Sequence, residues 1–247
     1  MQNGPVRLWT LDIGLSAPFH ASSGLDFAPR AFHRDCMRSL LSLLLSIGAA
    51  CAVTAVPASA AKIKLFDGKS FQGWDGDTNQ TFHIKDGMIV GGTFARIQPK
   101  NEFLATTARY TNFVLRAKFK LTGNEGFVNS GIQIRSERVP NDSEMKGYQA
   151  DIGEGWFGTL YDESRRNKPM AKPSEAAVKS AVKVGDWNDY EIRCQGPHIV
   201  LKINGTLMVD YTEADASLPQ HGRIGIQVHG GGRTEVFFKD LVLEPLP

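Results

Sequence analysis

The chain has 247 residues, a formal net charge of +2 and 42% hydrophobic residues. That length suits one large β-sandwich or two small domains, and the aromatic and β-branched content is enough for a packed core without covalent staples. The charge is nearly balanced, with no basic block and no aromatic residues interleaved with basic ones, which argues against nucleic acid as a partner.

Residues 1–36 show no clear periodicity and are read as a mis-called extension or a disordered leader. Residues 37–60 read as a signal peptide: Arg38 supplies a short cationic start, Leu40 to Val56 an apolar run, and Ala58, Ser59 and Ala60 the small residues that a signal peptidase needs. The competing reading is a transmembrane anchor, but about 17 apolar residues is the lower limit for crossing a ~30 Å hydrocarbon core. Cys51 raises a lipoprotein alternative, against which Gly48 stands where a large aliphatic residue is usual. The expectation is export to the periplasm or the exterior, with no stable membrane anchor after processing. Cys36 and Cys51 would be lost with the leader, so Cys194 would remain alone and no internal disulfide could form. Cys194 lies in a strand-like run and is expected to be a buried small hydrophobe rather than a nucleophile.

From residue 61 to 247 the chain reads as short strands punctuated by Gly, Asn, Asp and Pro. Phe82 to Val90 predicts a hairpin turning at Asp86-Gly87. Phe113 to Leu121 alternates strictly, with Phe113, Leu115, Ala117, Phe119 and Leu121 on one face and Arg116, Lys118 and Lys120 on the other. Tyr190–Cys194, Ile199–Ile203 and Leu207–Tyr211 predict a meander with Asn204-Gly205 at its second turn, and 223–229 and 235–243 close the domain. The stretch from about Gly155 to Asp186 has few strand signals and looks helical only over Ser174–Val182. It could be a lid or a tether, since long loops in compact domains are often functional. Regular short strands without helical alternation predict an all-β sandwich of two antiparallel sheets.

Three strands carry an unusual polar alternation. Gln133 and Arg135 oppose Ile132 and Ile134; Gln149 and Asp151 oppose Tyr148, Ala150 and Ile152; Gln227 and His229 oppose Ile224, Ile226 and Val228. Amide, guanidinium, carboxylate and imidazole together match the donors and acceptors of sugar hydroxyls. An ordinary solvated outer face is the alternative, although such faces favour Lys, Glu and Thr. After Asp151 come Glu154, the aromatic surfaces of Trp156 and Tyr161, and the charges of Asp162, Glu163, Arg165 and Arg166.

These residues carry a family likeness. The run Leu65-Phe66-Asp67-Gly68-Lys69 followed by Gly73-Trp74, then Asp86 to Gly91, Asn129 to Arg135, Gly147 to Gly153, Gly158 to Tyr161, Asp186 to Glu191, Asn204-Gly205 and Gly225 to His229 stand in one order over about Ile63 to Pro245. In this the sequence resembles the 3-keto-disaccharide hydrolase family, formerly a domain of unknown function. The resemblance implies a concanavalin A-like jelly roll with ligand on the concave side of a curved sheet. It also implies a carbohydrate partner, a 3-keto-glycoside or 3-keto-disaccharide cleaved as a hydrolase would.

A ketone at C3 acidifies the C2 proton, so the aglycone can leave C1 by elimination and water can add afterwards. That chemistry needs a base at C2, an electrophile at the C3 oxygen and an acid at the leaving oxygen, not a pair of carboxylates at a set separation. Asp151 or His229 is the candidate base, Arg135 the enolate stabiliser, and Glu154 or Asp162 the acid. Gln133, Gln149 and Gln227 would orient hydroxyls, with Trp156, Tyr161, Glu163 and Arg165 as further substrate contacts. No cofactor is certain; a divalent metal ion is one option, with Asp151 and His229 as its ligands. The competing function is a non-catalytic carbohydrate-binding module of the cell envelope, and a third is an adhesion domain using the same face against protein. Fold does not decide among them.

Overall fold

The computed structural model describes residues 61–247. The expected leader, signal peptide, Cys36 and Cys51 lie outside the described residues. In chain order the elements are β1 (Ile63–Lys64), β2 (Trp74–Asp75), β3 (Phe82–Lys85), β4 (Met88–Thr93), β5 (Glu102–Thr106), β6 (Phe113–Gly126), β7 (Asn129–Arg138) and β8 (Met145–Gly153). There follow β9 (Leu160–Glu163), β10 (Lys168–Ala171), α1 (Glu175–Ala181), β11 (Asn188–Gln195), β12 (His198–Ile203), β13 (Thr206–Thr212), β14 (Arg223–Val228) and β15 (Gly232–Pro245). They form two antiparallel sheets, ordered β13-β12-β11-β6-β15-β4-β3 with β1 on β15, and β10-β9-β8-β7-β14-β5-β2. This is the predicted all-β sandwich.

Turn chemistry sets the hairpins. Asp86 and Gly87 have φ of 51° and 73°, and Asn204 and Gly205 have 50° and 80°; two successive positive φ values match the right-handed twist of the flanking strands. Along β6 the predicted face of Phe113, Leu115, Ala117, Phe119 and Leu121 is buried, against Ile132, Ile134, Ile152, Ile224, Ile226 and Val228 of the second sheet within one core cluster. Cys194 belongs to that core, and burial pushes its thiol up to about 12, so it is chemically quiet as expected.

The connection after β8 contains the β9–β10 hairpin, which extends the second sheet and was not expected, and then α1, which falls within the expected helical stretch from Ser174 to Val182 and whose N-cap Ser174 accepts a hydrogen bond from Ala177 N. The hairpin escapes the strand pattern because it is short, carries Pro169 at a register shift and has charged residues beside apolar ones. No helix among the described residues is long and apolar enough to cross a membrane.

Candidate functional site

The outer face of the second sheet is where the polar alternation comes together. β7, β8 and β9 lie side by side, with Gln133 paired to Gln149 and Gln149 to Tyr161, while Gly225 of β14 pairs with Gln133. Residues two apart share a face, so Asn129, Asp151, Glu163, Gln227 and His229 join this surface. One part of it is closed over by Phe103, Ala105 and Met145, a small separate apolar cluster. The other part opens as a cleft of about 140 Å³ lined by Gln149, Asp151, Asn129, His229, Glu163, Tyr161, Trp156 and Phe127.

The floor of the cleft is a directed chain of hydrogen bonds. Ser136 Oγ donates to Gln133 Oε1 (2.5 Å), Gln133 Nε2 to Gln149 Oε1 (2.9 Å), and Gln149 Nε2 to Asp151 Oδ1 (2.8 Å) and Gln227 Oε1 (3.2 Å). Gly131 makes room for it: a Cβ there would lie 2.6 Å from Gln149 Cδ. Gln133 and Gln227 are fully buried, so they reach a ligand only through this chain. Gln227 Nε2 has no partner within hydrogen-bond distance, although it lies near enough to Glu163 to favour that carboxylate.

Burial displaces three titratable groups here. It holds Asp151 well above the usual carboxylate range, against the opposing hydrogen bond from Gln149. It pushes Glu163 up to about 7, with help from the nearby charge of Glu144. It lowers His229, against the raising effect of the Gly230 carbonyl. His229 Nδ1 lies 2.6 Å from that carbonyl; a carbonyl only accepts, so Nδ1 carries the proton and Nε2 keeps its lone pair. At neutral pH the cleft therefore holds a half-ionised Glu163, a neutral His229 and an Asp151 that keeps its proton more tightly than an ordinary carboxyl.

Aromatic walls flank this floor. The Trp156 and Tyr161 rings meet edge to face at 5.8 Å with Lys172 Nζ 5.0 Å from the Trp156 centroid, and the Phe127 ring meets the His229 ring edge to face at 4.6 Å. Trp156 is set by the turn after β8, where its amide donates to Gly153 O at 2.9 Å.

Four predicted residues are not brought to the cleft. Arg135 leaves the alternation at a bulge in β7: its φ is +50° and the β7–β8 register shifts between Ile134 and Glu137. Ser136 takes the outward position instead. The Arg135 guanidinium donates to Thr111 O (2.7 Å), Gly196 O (2.6 Å) and Asn112 Oδ1 (3.2 Å), so it clamps the two sheets together. Asp162 points away from the cleft because it alternates with Tyr161 and Glu163. It is fully buried and bonded by Arg165 Nε at 2.8 Å and by Arg166. Arg165 is committed to that pair and lies over the Tyr148 ring. Arg166 also reaches Glu213 Oε2 at 2.8 Å, which together with Tyr148 and Tyr211 holds the Glu213 carboxyl far below its ordinary range. Glu154 is exposed on the turn and does not line the cleft.

Asn129 and Phe127 line the cleft without having been predicted. Asn129 was legible, since it shares the parity of Gly131 and Gln133; Phe127 sits in the β6–β7 turn, where no periodicity speaks. A divalent ion does not fit this donor set. Among the described residues no three His, Cys, Asp or Glu side chains are grouped as ligands, and Asp151 Oδ1 is already engaged by Gln149.

A two-sheet sandwich with an amide floor, displaced carboxyls and aromatic walls on one outer face is the arrangement of a glycoside hydrolase-like or carbohydrate-binding protein. The chain belongs to the family described as 3-keto-alpha-glucoside-1,2-lyase-like domain, whose model matches residues 61–244. No curated protein matches the chain. Among solved structures it is similar to a protein from Parabacteroides distasonis provisionally described as a glycosyl hydrolase, with 19% identity, TM-score 0.57, and coverage of 75% of this chain and 94% of that one. It is also similar to the carbohydrate binding module CBM66 from Bacillus subtilis, with 16% identity, TM-score 0.54, and coverage of 70% and 95%. At these identities the likeness is one of fold.

Proposed function

We propose that this protein cleaves glycosides whose sugar carries a ketone at C3, by elimination across C1 and C2 followed by hydration. The observation that carries this reading is the meeting of Asp151, Glu163 and His229 in one cleft, with Asp151 displaced toward its protonated form, His229 toward its neutral form and Glu163 poised near 7. The family's 1,2-lyase description agrees with an elimination.

In this mechanism His229 Nε2 takes the C2 proton, which the C3 ketone has acidified. The electrons of the C2–H bond form the C2=C3 enolate, and the Asn129 amide and the Tyr161 hydroxyl are neutral donors in the cleft for its oxygen. The enolate then expels the C1–O bond electrons onto the leaving oxygen, which takes the proton of Asp151. Water adds back across C1 and C2, with Glu163 as base and the imidazolium of His229 returning its proton to C2. Solvent returns a proton to Asp151 and takes one from Glu163, so the net change is the addition of one water. Burial favours the protonated Asp151 and the neutral His229 that these steps use.

The signal-like segment 37–60 supports action after export, in the periplasm or outside the cell. N-terminal sequencing of the secreted protein tests this: a start near residue 61 is expected, and a retained leader would remove it.

A second reading is a sugar-binding module without turnover, favoured by the Trp156–Tyr161 pair and the amide floor, which suffice for binding alone. Incubation with a 3-keto-glucoside carrying a chromogenic aglycone, beside its unoxidised parent and with or without EDTA, separates the two. Release from the keto substrate alone, unaffected by EDTA, is the expected result. No release at high protein concentration would leave the binding module.

A further inference from the structure

Beyond the catalytic cleft the same end of the sandwich carries an apolar margin. Phe127 has one side on the cleft, against His229, and yet remains 41% exposed. The loop after β4 carries Phe94 and Ile97, which are 39% and 43% exposed. These residues belong together through the backbone: Phe127 N donates to Gly231 O at 2.9 Å, and Gly231 N donates to Gln98 O at 2.7 Å. Gln98 N in turn donates to Gly232 O at 2.9 Å, and Arg233 donates to the Phe94 carbonyl at 3.0 Å. The 94–98 loop, the Phe127 turn and the 230–232 segment thus form one rim.

That rim is left bare by design of its sequence. Gly230, Gly231 and Gly232 supply no side chain to cover Phe127, and a Cβ at Gly232 would lie 2.4 Å from the Phe127 carbonyl oxygen. The other large exposed hydrophobics among the described residues, Ile63, Val184 and Leu207, stand on β1, on the turn after α1 and on β13. An exposed apolar margin tied by backbone hydrogen bonds to the turn that lines the cleft marks a binding surface rather than chance exposure.

We propose that this rim is the aglycone subsite, and that it favours a flat, apolar aglycone such as an aromatic ring. This rests on the keto-glycoside reading above. A sugar ring over the Gln149–Asp151 floor uses the polar groups of the cleft; only its substituent extends past Phe127. There Phe94, Ile97 and Phe127 offer apolar contact, with the exposed Arg96 between the first two, so an aromatic ring would bury apolar area on both partners and could lie against the guanidinium.

The test is calorimetric titration of phenyl and methyl 3-keto-glucosides into the full chain carrying Asp151→Asn, which keeps the ligand intact. The phenyl glycoside is expected to bind about tenfold more tightly, or ~1.4 kcal/mol. Adding Phe94→Ser and Ile97→Ser, both exposed loop positions, should erase most of that difference and leave the methyl glycoside's Kd within about twofold. A phenyl-to-methyl ratio near one in the Asp151→Asn chain, or a ratio unchanged by the two rim substitutions, overturns the subsite. Turnover of the methyl 3-keto-glucoside by the unmodified chain is measured alongside. Its absence counts against the elimination chemistry alone, because the binding ratio still decides the rim.

Discussion

Gln149 donates from Nε2 to Oδ1 of Asp151 at 2.8 Å, two residues further along the same strand and on the same face of the sheet. The bond occupies one carboxyl oxygen and leaves the other for a ligand, while burial raises the group's hold on its proton. Asp151→Asn keeps the shape and removes the acid. Turnover of a 3-keto-glucoside is expected to fall by about 10²–10⁴, with sugar affinity changed only a few-fold in titration. Equal losses in affinity and rate would make Asp151 a binding residue only.

The pH profile of first-turnover aglycone release, which precedes the hydration that uses Glu163, should be a plateau bounded by two cleft groups. His229 must be neutral to take a proton, and its pKa lies below the ordinary 6.5, so the acid limb should fall below that value. The alkaline limb should follow ionisation of Asp151, held well above the usual carboxylate range. An acid limb above pH 7 would show that His229 is not the base.

Glu163 links the cleft to stability. Its folded pKa of about 7 lies above the ordinary 4.5, so between those values the folded chain holds a proton that the unfolded chain has released. Stability from this group is present below pH 4.5 and is lost as pH rises through 7. Glu163→Gln should therefore raise Tm at pH 8 by a few degrees, on the scale of ~1 kcal/mol, and change it little at pH 4.5. The same gain at both pH values would break the link to ionisation.

Arg135 and Asp162 should matter for folding, not for chemistry. Arg135→Ala removes three charged hydrogen bonds at the edge of the sandwich, and Asp162→Asn leaves Arg165 and Arg166 short of a partner. Each is expected to cost about 3 kcal/mol. Denaturant melts measure this, and kcat per folded molecule should stay within about twofold. A large kcat loss with unchanged stability would return either residue to the cleft.

Trp156→Ala should weaken sugar binding by about tenfold, and Trp156→Phe much less, since a flat ring is what the wall supplies. Titration with a 3-keto-glucoside reads this directly. Equal effects of the two substitutions would remove stacking as the cause.

Much of this molecule is legible as period-two patterning. The β6 stripe from Phe113 to Leu121, the Asp86-Gly87 and Asn204-Gly205 turns, and the outward positions of Gln133, Gln149, Asp151, Gln227 and His229 all follow from local rules. Arg135 does not, because one left-handed residue inside a strand inverts the parity after it, and the cause lies in Thr111, Asn112 and Gly196, far away in sequence. Asp162 looks like a loop charge until the β9–β10 hairpin is known; pairing with β8 then turns Tyr161 and Glu163 outward and Asp162 inward. The family likeness supplied the expected chemistry, but only the register assigned Glu163 rather than Asp162 to the cleft.

The amide row beneath the cleft has a polarity. Every link from Ser136 through Gln133 and Gln149 to Asp151 points the same way. Inverting Gln149 would set its oxygen against Gln227 Oε1 and its nitrogen against Gln133 Nε2. The orientation presented to a sugar is therefore set from inside the protein, by two buried amides that no ligand meets. Replacing both would leave the cleft its shape and every residue that lines it, yet free Gln149 to offer an acceptor where it now offers a donor.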